Sequence, residues 1–236
     1  MTIFEKLIKL KNDKKKQLVA LLDPDKKNKS HLKKQIDYIN NNNFCAILIG
    51  GSLMMDACYS SRIEMIKNST ELPLISFPSS IAQINKNFDA ILFLPLISGR
   101  NPQYLIGEQV LSAPIIHDLQ IESIPVGYIL LDGGSRTSVE IVSNTTPLPM
   151  RKTEIIVAHA LASQYLGHKF IYLECGSNAE KSIDLKLLKE VKKYVKIPIF
   201  VGGGIKNKKD VDDIYNAGAD FIVVGSMIEQ KATILT

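Results

Sequence analysis

Two stretches near the C-terminus carry residues suited to holding phosphate: Val201-Gly202-Gly203-Gly204-Ile205 and Val223-Val224-Gly225-Ser226. Each closes an apolar run rich in β-branched residues, and each precedes a helix-like stretch. A buried strand opening into glycine lets bare backbone N–H groups approach a ligand, and the positive N-terminal end of a following helix favours an anion. The plain alternative is that these glycines only make tight turns. A repeat of the arrangement in two consecutive strand–helix units favours Gly203, Gly204, Gly225 and Ser226 as phosphate-binding residues.

Acids stand at other strand ends. Leu22-Asp23-Pro24-Asp25-Lys26 places two carboxylates around a proline, suited either to a hard cation such as Mg²⁺ or to an ordinary capped turn. Gly50-Gly51-Ser52 ends the next apolar run, and Ser52 could cap a helix or face the same ion as Asp23. In Tyr172-Leu173-Glu174-Cys175-Gly176-Ser177-Asn178, Glu174 closes an apolar strand, where an acid is uncommon without a role. It could take the proton of a substrate hydroxyl or orient that hydroxyl. Tyr172 could donate to a phosphate, or simply pack, and Ser177 could donate or cap a helix. No histidine is motif-linked to Cys175, and His31, His117, His159 and His168 fall on or beside helix-like segments as surface or packing residues.

These residues need a scaffold that brings strand ends together. Short apolar runs recur at 18–22, 44–49, 74–77, 90–94, 126–131, 170–173, 197–201 and 221–224. Most are continuous rather than alternating, as in strands buried on both faces of a parallel sheet. Helical patterns fill most gaps, at 30–40, 53–67, 102–119, 153–166, 183–194, 208–217 and 227–234. The expected fold is therefore α/β, a modified (β/α)8 (TIM) barrel formed as one domain over 1–236. The gap at 79–88 is too short and polar for a full helix, so the third helix is expected to be short or missing. The long gap opened by Asp132-Gly133-Gly134-Ser135-Arg136-Thr137 reads as a substrate loop or lid at the barrel's C-terminal rim.

Composition narrows the classes. With 236 residues, 45% hydrophobic, the chain can bury a barrel-sized core. Its net charge of +5 is spread along helix-like segments, which argues against nucleic-acid binding and suits a polyanionic small substrate. Three cysteines without metal-ligand spacing suggest reduced thiols and a cytoplasmic protein. The first residues lack the apolar core of a signal peptide, and no apolar run approaches the roughly 20 residues of a membrane span. A transient membrane-surface contact stays open.

Taken together, the strand ends resemble those of the geranylgeranylglyceryl phosphate synthase family, with its bacterial heptaprenylglyceryl phosphate relatives. The similarity runs in order through Asp23-Pro24-Asp25-Lys26, Gly50-Gly51-Ser52, Gly127-Tyr128-Ile129-Leu130-Leu131-Asp132-Gly133-Gly134, Tyr172-Leu173-Glu174-Cys175-Gly176-Ser177, the triglycine turn and Gly225-Ser226. The resemblance implies a Mg²⁺-dependent prenyltransferase joining sn-glycerol 1-phosphate to a long prenyl diphosphate, acting as a homo-oligomer, dimer or hexamer. It implies Asp23 and Ser52 at the metal, and places glycerol phosphate at Tyr172, Leu173, Glu174, Cys175, Gly176, Ser177, Asn178, Gly203, Gly204, Gly225 and Ser226. Asn178 stands where the family often has glycine, and Lys206 where arginine is common; both touch the phosphate end. Two rivals remain at this point: another phosphate-binding barrel enzyme, such as a sugar-phosphate isomerase, and a non-catalytic phosphoester-binding protein.

Overall fold

In the computed structural model, which describes residues 1–13 and 15–234, eight strands close in sequence order into a parallel barrel. They are β1 (Gln17–Leu22), β2 (Phe44–Ile49), β3 (Leu74–Ser76), β4 (Ala90–Phe93), β5 (Glu122–Leu130), β6 (Phe170–Glu174), β7 (Ile199–Gly202) and β8 (Phe221–Val224). The ring closes through β1 on β8, with Gln17 opposite Phe221 and Ala20 opposite Val224. Continuous apolar runs form these strands because one face packs the barrel interior and the other packs helices.

The core is accordingly two-layered. Val19, Leu48, Phe170, Tyr172, Phe200 and Phe221 fill the interior, while Ile47, Ile171, Leu173 and Ile222 meet the surrounding helices. Inside, the rings of Phe170 and Phe200 lie 5.1 Å apart and those of Phe200 and Phe221 4.7 Å apart. Each such ring contributes on the order of 1.5–3 kcal/mol by leaving water, plus about 0.5–1.5 kcal/mol from the ring contact.

The helices are α1 (Ile3–Asn12), α2 (Leu32–Asn40), α3 (Tyr59–Lys67), α4 (Glu108–Asp118), α5 (Ser138–Ser143), α6 (Thr153–Tyr165), α7 (Leu185–Tyr194), α8 (Lys208–Asn216) and α9 (Ser226–Ile234). The sequence reading missed α1. It starts with a reciprocal capping box between Thr2 and Glu5, and its Ile3 and Leu7 pack into the interior cluster. Glu122, at the start of β5, accepts from the N–H groups of Ile3 at 2.6 Å and Phe4 at 2.8 Å. This carboxylate on a helix N-terminus fixes α1 at the strands' N-terminal end of the barrel.

Three further boundaries differ from expectation. The helix expected over 53–67 begins only at Tyr59. Asp56 instead pairs with Arg62, and Met55 N–H reaches back to Asp25 at 3.3 Å, holding residues 52–58 as a loop on the rim. The helix expected over 102–119 opens as a π-turn, Gln103–Gly107, before α4. The segment at 79–88 behaves as expected, with only a 3₁₀ turn at Ile81–Gln83. Gln83 compensates for the missing helix by donating to Gly51 O at 2.7 Å and accepting from Ser79 N at 2.7 Å, which ties the loops after β2 and β3 together.

Candidate active site

The strand ends surround one cavity of about 670 Å³ at the C-terminal mouth of the barrel. Asp23, Ser52, Tyr172, Glu174, Ser177, Asn178, Gly203, Gly204, Gly225 and Ser226 all line it. Leu173, Cys175 and Gly176, counted with the site from sequence, do not. Side chains alternate along a strand, so Tyr172 and Glu174 face the mouth while Leu173 and Cys175 turn outward into the helix-facing core. Gly176 serves the site indirectly: its N–H donates to Glu174 Oε1 at 2.6 Å.

Glu174 is buried, and burial pushes its carboxyl up from 4.5 to about 7, although the Gly176 N–H favours the ionised form. A carboxyl held there can both accept and return a proton near neutral pH. Tyr172 is fully buried, and its hydroxyl sits beside Glu174 yet makes no hydrogen bond of its own. Its ring stacks on Phe77, with centroids 5.0 Å apart and planes at 18°, and on Phe200 at 5.9 Å. Those contacts set the ring's orientation, so the hydroxyl at its tip is an unspent donor aimed at the cavity.

The glycine turn after β7 places backbone here. Gly203 (φ +84°) and Gly204 (φ +67°) are left-handed, and a Cβ on Gly203 would lie 2.6 Å from Glu174 Oε1. A glycine turn of this kind leaves bare backbone N–H groups that can approach and cradle an anion. Only one of the two expected helix N-termini reaches this point. α9 begins at Ser226, directly after Gly225, whereas α8 begins at Lys208, beyond the turn. Asn178, itself left-handed at φ +58°, accepts from the Ser226 hydroxyl at 3.1 Å, bridging the loops after β6 and β8. Lys206 reaches Glu180 O at 3.0 Å and clamps the loops after β6 and β7.

Across the mouth, Gly51 passes so close to Asp23 that a Cβ there would lie 2.5 Å from its Oδ1. The turn carrying Ser52 is thereby held against the Asp23 carboxylate. Among the described residues no group of three or more His, Cys, Asp or Glu side chains could hold a metal ion. One carboxylate, one hydroxyl and room for substrate oxygens suit Mg²⁺, which prefers one or two carboxylates plus phosphate oxygens to an all-protein cage. Asp25 also lines the cavity.

The other arm of the cavity is apolar. Phe77, Phe93 and Leu94 line it with Ile81, Ile84, Tyr128, Val139 and Val142. The loop opened by Asp132 supplies part of this wall through α5, as its position on the rim suggested. Sequence reasoning missed Tyr104, Glu108 and Gln109, which line the arm beside α4. They sit in a largely apolar helical run that gave no signal. Gln109 donates to Leu94 O at 2.7 Å, leaving its own buried carbonyl without a partner. None of the four histidines lines the cavity.

A parallel eight-stranded barrel with a glycine cradle after β7, a glycine-led helix after β8 and an acid closing β6 defines a phosphate-binding (β/α)8 enzyme. Residues 11–235 match the PcrB family. Geranylgeranylglyceryl phosphate synthase of Flavobacterium johnsoniae is 41% identical over 98% of this chain and 95% of its own length. The protein of the same name from Methanosphaera stadtmanae is 37% identical over 89% of this chain and 86% of its own. The crystal structure of (S)-3-O-geranylgeranylglyceryl phosphate synthase from Thermoplasma acidophilum, in complex with sn-glycerol-1-phosphate, superposes with a TM-score of 0.91 at 30% identity, covering 98% of this chain and 92% of that one. The chain belongs to the PcrB family and is an enzyme of the geranylgeranylglyceryl phosphate synthase type.

Proposed function

We propose that this enzyme transfers a long prenyl group from its diphosphate to the 3-hydroxyl of sn-glycerol 1-phosphate, with Mg²⁺ as cofactor. The observation that carries the reading is the single cavity in which an anion cradle, a proton-accepting acid and a long apolar arm converge. An isomerase of sugar phosphates has no use for the apolar arm, and a mere phosphoester binder has none for Glu174.

In this reading the acceptor phosphate rests on the N–H groups of Gly203 and Gly204 and at the start of α9, with Tyr172 donating its unspent hydroxyl. Ser177, Asn178 and Ser226 edge the same end. Glu174 orients the 3-hydroxyl and takes its proton as the oxygen bonds to C1 of the prenyl group. The C1–oxygen bond to diphosphate breaks, and diphosphate leaves with the bonding pair. Asp23 and Ser52 would hold Mg²⁺; when bound, the ion neutralises charge growing on the leaving diphosphate. The prenyl chain lies along the arm between Phe77 and Val142, away from water.

Two broader features belong to the same proposal. Three free cysteines, Cys45, Cys58 and Cys175, suit a cytoplasmic setting, and no helix among the described residues is long and apolar enough to cross a membrane. Helices α2, α7 and α8 present polar outer faces, but α4 leaves Val110, Leu111 and Ile115 exposed together, an apolar face that marks a covered surface. A second copy of the chain, packed on α4, gives the expected homo-oligomer. Catalysis is tested by turnover of radiolabelled sn-glycerol 1-phosphate with separate C15 to C35 prenyl diphosphates, with and without chelator, wild type beside Asp23→Ala. Chelator-sensitive transfer into an organic-extractable product, lost in the variant, supports the proposal; binding of glycerol phosphate without transfer to any donor refutes it.

A further inference from the structure

The cavity does not close over its apolar arm. Leu53 and Met55 on one side of the mouth, and Ile141 and Val142 on the other, line the cavity and are also exposed, Met55 by 64% and Ile141 by 62%. Large apolar side chains this bare, set around an opening, mark a contact surface rather than scattered surface residues. Their continuity with the cavity wall makes the occupant one that also suits the cavity, an apolar chain entering or leaving it.

Charge at the rim points to the same partner. Beside Met55, the loop after β1 carries exposed Lys26 and Lys29. The acids of this corner have partners of their own: Asp25 accepts from Met55 N–H, and Asp56 is bound by both terminal nitrogens of Arg62. Outward the corner therefore presents lysines next to bare apolar side chains, the pairing that seats a protein on an anionic lipid surface.

We infer that the barrel mouth docks on an anionic bilayer, with Leu53, Met55, Ile141 and Val142 entering the acyl boundary and Lys26 and Lys29 meeting the headgroups. The inference rests on the proposed reading that the cavity takes a lipid donor. It gives that donor a path from the bilayer to the arm, and the product a way back, without exposing the chain to water.

The chain has no tryptophan, so a single introduced indole reports its own surroundings. Met55→Trp is placed at the mouth. Tyr165→Trp is the control, because α6 runs back from the rim and Tyr165, 78% exposed, ends it at the far end of the barrel. Full-length protein, without donor or acceptor, is titrated with vesicles of phosphatidylcholine containing about 30% phosphatidylglycerol. The expected result is a blue shift and quenching by bromolipid for the indole at 55 and neither for the indole at 165. In co-sedimentation, Lys26→Gln with Lys29→Gln lowers the partition coefficient by about 30-fold, and Met55→Ser with Ile141→Ser by about tenfold or more, while thermal melting shows both variants folded. Equal shifts at the two positions, or wild-type partitioning in both double variants, overturn the inference. So does a wild type that transfers prenyl groups from detergent-dispersed donor but binds no vesicle. Vesicle binding at position 55 without any prenyl transfer would instead remove the proposed reaction and leave the docking surface standing.

Discussion

Glu174→Gln separates what the buried acid does for catalysis from what it does to the fold. The folded protein holds the Glu174 proton up to about pH 7, whereas a carboxyl with the ordinary value of 4.5 loses it far sooner. A folded value above the unfolded one means the native state binds more protons in that window, so stability falls as pH rises from 4.5 to about 7 and is level above it. At about 1.4 kcal/mol for each pH unit between the two values, the ionised carboxylate costs the native state roughly 3 kcal/mol. Gln keeps the shape and the acceptor for the Gly176 N–H but carries no charge to desolvate. The two proteins should therefore melt together at pH 4 and diverge with pH, the variant being more stable by up to about 3 kcal/mol at pH 8, a Tm gain of roughly 6–12 °C for a domain of this size. Urea and thermal melts of both proteins across pH 4–8 measure the gap. In the same variant kcat should fall about 10²- to 10⁴-fold, and wild-type kcat/KM should climb to a plateau above about pH 7. A gap that does not change with pH, or a variant less stable at pH 8, would refute the claim that desolvation governs this carboxyl.

Gly203→Ala puts a Cβ at a left-handed residue and against Glu174 Oε1; it should cost about 1–3 kcal/mol in a urea melt and raise KM for sn-glycerol 1-phosphate at least about tenfold, and a wild-type melt with unchanged KM would sink the cradle assignment. Tyr172→Phe removes a buried hydroxyl that has no partner in the free protein. Stability should move by less than about 1 kcal/mol while KM for the acceptor rises about 10- to 100-fold, whereas a large stability loss at constant KM would make Tyr172 a packing residue. Val110→Asp, on the exposed face of α4, should reduce the molar mass in light scattering to that of one chain without unfolding it; an unchanged assembly would place the interface elsewhere.

The barrel was legible because its strands are continuous apolar runs at regular spacing, and the missing third helix because the segment at 79–88 is too short and polar for one. Most cavity residues followed from a single rule, that strand ends meet at the mouth. The misreadings have local causes. Leu53, Met54 and Met55 look like the opening turns of an apolar helix, but two pairings across the rim, Asp56 with Arg62 and Met55 N–H with Asp25, hold the segment in a loop. The Thr2 and Glu5 pair is a capping signal for α1 that the sequence itself carries. Leu173 and Cys175 were included with Glu174 although alternation along a strand sends them to the opposite face. Glu108 and Gln109 were invisible for a deeper reason: what makes them matter is the wall they share with segments before β4 and after β5, and no local pattern encodes that.

The order of elements around the ring explains how one barrel can handle a substrate pair so unlike in polarity. The loops after β1 and β2 carry Asp23 and Ser52, the end of β6 carries Glu174, the loops after β7 and β8 carry the glycine turns, and the loops between, after β3, β4 and β5, carry the apolar arm. On the proposed reading, each group on the donor and acceptor thus has its own sector of the cavity wall. A complete helix after β3, packed on the barrel's flank, would fill the space beside α4 into which the cavity extends. With only the 3₁₀ turn at Ile81–Gln83 there, the arm extends sideways to Tyr104 and α4. On the proposed reading, the departure from a regular barrel is therefore the structural condition for taking a chain longer than the barrel is wide. Gln83 makes that departure tolerable, because its hydrogen bonds to Gly51 O and Ser79 N replace loop contacts that a helix would otherwise have supplied.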